Sequence, residues 1–87
     1  MNTNWIEFLE EFRKVNSSFI QRLDTRYPNL TPTQFRVCLY IYAGYSTNDI
    51  VNQLGLTKPA VENHRYRIRK KFNVKKHQNL FTTLTNI

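Results

Sequence analysis

Two glycines and three prolines are all the strong chain breakers in these 87 residues, and their positions cut the sequence into short helices. Pro28 and Pro32 bracket one break, Gly44 makes a second, and Gly55 with Pro59 makes a third. Between the breaks, apolar side chains recur every three or four residues, the period of a helix with one buried face.

Residues 4–23 are predicted to form an amphipathic helix. Trp5, Phe8, Phe12, Val15, Phe19 and Leu23 take one face, and Glu7, Glu10, Glu11, Arg13, Lys14 and Arg22 the other. Pro28 stops it, because the residue before a proline avoids helical backbone. Thr31-Pro32-Thr33-Gln34 has the form of a capping box with proline at the first helical position. The next stretch, Val37-Cys38-Leu39-Tyr40-Ile41-Tyr42, is β-branched and aromatic, and on its own would pass for a buried strand. The capping box before it and Gly44 after it decide for a helix, apolar nearly all round and therefore central. A third helix is expected over residues 46–54, with Ser46 as N-cap, Asp49 three residues on, and Ile50, Val51 and Leu54 inward. The fourth opens at Thr57 and runs to Phe72. After a connection at residues 73–76, residues 77–87 are expected to form a closing helix with Leu80, Phe81, Leu84 and Ile87 inward.

Composition narrows the function. Residues 1–27 and 28–57 are each neutral, whereas residues 58–87 hold eight basic side chains against the single acid Glu62, so the whole net charge of +7 sits in the last third. A concentrated basic face is the footprint of a polyanionic partner. Twelve aromatic residues argue against disorder. One cysteine, Cys38, allows neither an internal disulfide nor a cysteine metal cluster, and reads as a small core hydrophobe. No apolar run is long enough to span a membrane, and the polar, acidic start does not read as a secretion signal, so a cytoplasmic location is expected. No glycine-rich phosphate loop is present, and neither His64 nor His77 has a partner at metal-ligand or triad spacing. No enzyme, metal or cofactor is therefore expected.

Two short helices joined by the tight Leu54-Gly55-Leu56-Thr57 turn make a helix-turn-helix pattern. The first helix fixes the angle at which the second presents a whole face to a groove. At about 100° per residue, Ile68, Phe72 and His64 share the inner face with Val61, while Pro59, Asn63, Tyr66 and Lys70 lie opposite, flanked by Glu62 and Arg67. The outward face carries an amide, a phenol, a carboxylate and cations, a set suited to base edges and phosphates. Asn63 can pair bidentately with adenine, and Glu62 can accept from cytosine N4. Thr57 sits where free helix N–H groups attract a phosphate. His64 reads as a core histidine. Arg65 falls at the core edge, and is expected to run its stem along the core and pair its head with Asp49 or Asp24.

Residues 30–87 resemble the LuxR-type (GerE-type) DNA-binding domain. The resemblance rests on Leu30-Thr31, Gly44, Ser46, Ile50, Leu54, Leu56-Thr57, Val61, His64, Lys71-Phe72, Val74 and Leu80 in the right order and spacing. The run of residues 61–71, behind an aromatic N-terminal helix, looks like a Bacteroidetes-type variant. The resemblance implies an all-α, four-helix helix-turn-helix domain over residues 29–87, preceded by one amphipathic helix in residues 1–28. It implies sequence-specific binding of double-stranded DNA as a transcriptional regulator, with residues 57–72 as recognition helix in the major groove. Base contacts are implied from Glu62, Asn63 and Tyr66, and backbone contacts from Asn48, Thr57, Lys58 and Lys71, to which the outward face adds Arg67 and Lys70. A homodimer is implied through the closing helix, with Leu80, Leu84 and Ile87 as its contacts, and RNA polymerase or a sensor domain as further partners. Gln34 stands where the family usually has Glu, which weakens an expected structural pairing. Two competing readings are a promoter-binding module that acts only with RNA polymerase, and a protein-interaction module whose aromatic stripe at residues 5–23 docks a partner helix.

Overall fold

The computed structural model describes residues 4–87; residues 1–3, the start of the expected N-terminal segment, lie outside it. Five helices follow one another: α1 (Asn4–Arg26), α2 (Pro32–Tyr42), α3 (Thr47–Leu54), α4 (Lys58–Lys71) and α5 (Leu80–Thr85). No strand occurs among the described residues, so the all-α expectation holds.

The capping chemistry read from the sequence is what delimits α2 and α3. The Gln34 N–H donates to Thr31 Oγ1 and the Thr31 N–H donates back to Gln34 Oε1, both at 3.1 Å. At the start of α3, Asp49 N–H donates to Ser46 Oγ at 3.1 Å while Ser46 N–H donates to the Asp49 carboxylate at 3.0 Å. Two backbone donors that the helix cannot satisfy are thus paired at each start. Gly44 (φ +91°) and Gly55 (φ +65°) end α2 and α3 in left-handed backbone, the conformation that glycine adopts without a Cβ clash.

The core is organised around α2. Val37, Cys38, Leu39, Tyr40 and Ile41 are buried in succession, as a central helix requires. Phe12, Phe19 and Leu23 reach it from α1, Ile50 from α3, Val61 and Ile68 from α4, and Leu80 and Leu84 from α5, with Phe72 closing the end of α4. Aromatic stacking joins α1 to α2: Phe8 lies 4.2 Å from Tyr40 and Phe19 3.8 Å from Tyr42, centroid to centroid. The fully buried Phe19 contributes roughly 1.5–3 kcal/mol from area alone, and the half-buried Phe8 and Tyr42 less. The division expected after residue 28 falls in the turn between α1 and α2, and one hydrophobic cluster draws on both sides of it.

Three local expectations are corrected. Helix α1 continues to Arg26, one residue short of the half-buried Tyr27, whose ring stacks on Phe72 at 4.0 Å. Val15 is not on the inner face but 83% exposed. The next residue, Asn16, has non-helical backbone (φ −122°, ψ 29°), while Phe12 and Phe19, two turns apart, both face inward. The closing helix is shorter than residues 77–87. Asn79 starts it late by accepting the Thr82 N–H at 2.7 Å, and Phe81, expected inward, is 46% exposed.

Candidate nucleic-acid interface

The α3–turn–α4 unit is held from both sides. Gly55 N–H caps Val51 C=O at 3.0 Å, and Thr57 Oγ1 accepts from Ala60 N–H at 3.2 Å, so α4 starts at Lys58, three residues after Gly55. Val61 and Ile68 are fully buried, while His64, Arg65 and Arg69 are half-buried at the edges. Opposite them, Lys58, Pro59, Glu62, Asn63, Tyr66, Arg67 and Lys70 are all exposed and form one continuous outward face. Asn48, near the start of α3, and Thr57 are exposed as well. The structure therefore brings together Thr57, Lys58, Glu62, Asn63, Tyr66, Arg67 and Lys70 along one helix. The Lys70 ammonium lies 5.3 Å from the Tyr66 ring centroid, a cation–π contact that orients the phenol while leaving it 57% exposed.

Lys71 differs from its neighbours. Its ammonium donates to Gln34 Oε1 and to the Asn29 carbonyl, both at 2.7 Å. Gln34 is itself buried and already accepts from Thr31, so the end of α4 is pinned to the start of α2. The amide oxygen of Gln34 does what a carboxylate would do for geometry, but without neutralising the lysine. Two donors of Lys71 are thereby committed inside the chain and one remains.

Arg65 runs along the core as expected, but among the described residues it forms no ion pair with Asp49 or Asp24. Asp49 is turned toward Ser46, whose backbone and hydroxyl bonds hold its carboxyl below the ordinary 3.8. Burial, and after it the neighbouring Arg69 cation, push the Arg65 guanidinium below its usual range. Burial raises the Cys38 thiol to about 12, so this cysteine behaves as a small apolar core residue. His64 packs at the inner edge, its Nδ1 enclosed.

The structure also adds residues that the sequence reading did not single out. The Arg69 guanidinium donates to the Lys75 carbonyl at 3.3 Å and ties down the loop after α4. Asn73 takes left-handed backbone (φ +55°) right after the helix, and shares a shallow recess with Tyr66, Arg69, Lys70 and Val74. A basic residue six positions before a lysine gives no sequence signal for such a bond; asparagine one residue past Phe72 does suggest a left-handed stop. Of the residues expected at a dimer contact, Leu80 and Leu84 are each 1% exposed inside the chain's own core, because α5 spends them on α2. What α5 offers outward is Phe81, while Ile87 is half-buried against α1, where its carbonyl accepts from the Arg22 guanidinium at 3.1 Å. No group of three or more His, Cys, Asp or Glu side chains converges among the described residues, and no helix there is long and apolar enough to cross a membrane.

Residues 28–84 match the family of bacterial regulatory proteins described as the luxR family (GerE). No curated protein and no solved structure matches the chain. The family match runs from the turn before α2 to the buried Leu84 of α5 and takes in the whole α3–turn–α4 unit. With well over half of its length matched and the helix-turn-helix geometry in place, the chain belongs to the luxR family of DNA-binding transcription regulators.

Proposed function

We propose that α4 enters the major groove of double-stranded DNA and reads a specific sequence there. The observation that carries this reading is the exposed polar face of α4, set directly opposite a fully buried apolar stripe. Asn63 and Tyr66 lie in its middle and Glu62 on its flank, and the three meet base edges. Asn48, Thr57, Lys58, Arg67 and Lys70 lie around them and meet phosphates. Free N–H groups at the start of α4 add to the pull on a phosphate beside Thr57. Lys71 contributes charge to the same end of the helix, and its main work is to hold α4 against α2. Residues 29–87 form the DNA-binding unit and α1 buttresses it. The chain acts in the cytoplasm, as a regulator without enzymatic activity.

A second copy of the chain is the natural partner on a two-fold-symmetric operator, with Phe81 of α5 and Ile87 after it as the residues available to it. RNA polymerase or a sensor domain would connect binding to transcription. The reading of α1 as a free docking stripe has lost its support, since Phe12, Phe19 and Leu23 are buried against α2.

The test is a fluorescence-anisotropy titration with a pool of random-sequence duplexes at low and moderate salt. The expected result is binding that weakens steeply as salt rises, followed by selection of one preferred sequence from the pool. Absence of binding at low salt would overturn the proposal.

A further inference from the structure

We infer that Glu62 is the residue through which this chain rejects wrong DNA, by admitting a cytosine amine at one position and repelling the backbone elsewhere. The inference rests on the DNA-binding reading above and assigns a base and a sign to one position in it.

Glu62 is the only acidic side chain in residues 58–87, where eight basic ones surround it. On a basic surface helix an acid ordinarily pairs with a cation three or four residues away. Lys58 stands four residues before Glu62 and Arg65 three after it, yet neither pairs with it; the ion pair present among the described residues is Lys14–Glu11. Two physical reasons keep the carboxylate free. A lysine placed before its acid at this spacing is the weaker orientation of such a pair. Arg65 is turned to the core edge and half-buried. Glu62 is thus an exposed negative charge, without an ion pair among the described residues, on the flank of the one face that would approach a polyanion.

On random DNA such a charge subtracts from binding. It faces phosphates, loses water, and gains no donor. It is repaid where a base offers an amine donor in the major groove, and cytosine N4 is the donor a carboxylate pairs with there. Asn63, the adjacent residue on the same face, is complementary to adenine by its amide. The two side chains therefore divide the work: Asn63 rewards one base, while Glu62 penalises every sequence that lacks cytosine at its own position. The same free energy that lowers affinity for bulk DNA raises the ratio between specific and random binding.

The test uses the full chain and its Glu62→Gln variant, an exposed and nearly isosteric change. Each is titrated with the random duplex pool and with the tightest duplex selected by the unsubstituted chain, and the selection is repeated with the variant. The expected result is tighter binding of the variant to the random pool, with a steeper salt dependence. The preference for the selected duplex should fall by on the order of tenfold, and cytosine should be lost at one position only. Adenine should take its place, because a glutamine amide pairs with adenine. If the variant binds random DNA no better than the unsubstituted chain, or selects the same base at every position, the inference is overturned while the DNA-binding proposal stands. If the unsubstituted chain binds no duplex at low salt, both fall together.

Discussion

Lys70 and Lys71 are adjacent and both exposed, yet their ammonium groups end in different places. Lys70 lies over Tyr66 on the outward face, whereas Lys71 reaches back to Gln34 and Asn29. Lys71→Met leaves the buried Gln34 oxygen short of a donor and should cost about 1–3 kcal/mol in urea unfolding. Lys70→Met should leave stability within about 0.5 kcal/mol. It should weaken binding to all duplexes alike and reduce the salt slope by about one. A loss confined to one sequence would show that Lys70 reads bases instead. For Asn63→Ala the expectation is reversed: a loss of about 1–3 kcal/mol for the selected duplex, concentrated at one adenine position. Substituting each base of that duplex in turn checks it, and a uniform loss would rule out base reading by Asn63. A helical wheel places the origin of each side chain, and on α4 that was enough to separate Glu62, Asn63 and Tyr66 from Val61 and Ile68. Where a four-carbon stem ends depends on an acceptor 37 residues away, which no local pattern reveals.

At the scale of the helices, the legible signals were those with a short-range mechanism. The boxes at Thr31–Gln34 and Ser46–Asp49 and the left-handed glycines all act within four residues, and each helix end they predict is where the structure has it. The late start of α5 also has a short-range cause, the Asn79 side chain accepting from Thr82 N–H, whereas the kink at Asn16 has no such signature. The cap of α3 also makes stability depend on pH. Asp49 titrates lower in the folded chain than its ordinary 3.8, so its contribution is fully present above that value and is lost as pH falls through the lower folded one. Ser46→Ala should cost on the order of 1 kcal/mol at neutral pH, as the loss of an N-cap does. It should flatten this acid limb of the stability profile only in part, measured by thermal unfolding from pH 2 to pH 6, because the Ser46 N–H that donates to the Asp49 carboxylate is kept. An unchanged acid limb would mean that this N–H alone, and not the Ser46 hydroxyl, sets the Asp49 titration.

Across the whole molecule, charge and core are distributed differently. The excess positive charge lies entirely in residues 58–87, whereas the core takes side chains from all five helices, including α1, outside the family match of residues 28–84. The charge asymmetry could be read by counting. That α1 shares a core with the DNA-binding helices could not, because an aromatic stripe looks the same whether its partner is this chain or another. Trp5, the only tryptophan, makes that arrangement measurable: it packs 5.7 Å from Tyr40 of α2 and beneath the Arg36 guanidinium. Its fluorescence reports on the α1–α2 contact, while far-ultraviolet circular dichroism reports on all helices. If α1 belongs to the one core, both signals should follow a single transition in denaturant. Phe19→Ala should then shift both together by about 3–5 kcal/mol, a large part of the ~5–15 kcal/mol that holds a small domain folded. Should Trp5 lose its packing at lower denaturant than the helices unfold, α1 would be a detachable arm. The DNA-binding unit would then stand without it, and the stacking of Phe8 on Tyr40 and of Phe19 on Tyr42 would decide only whether the arm is docked.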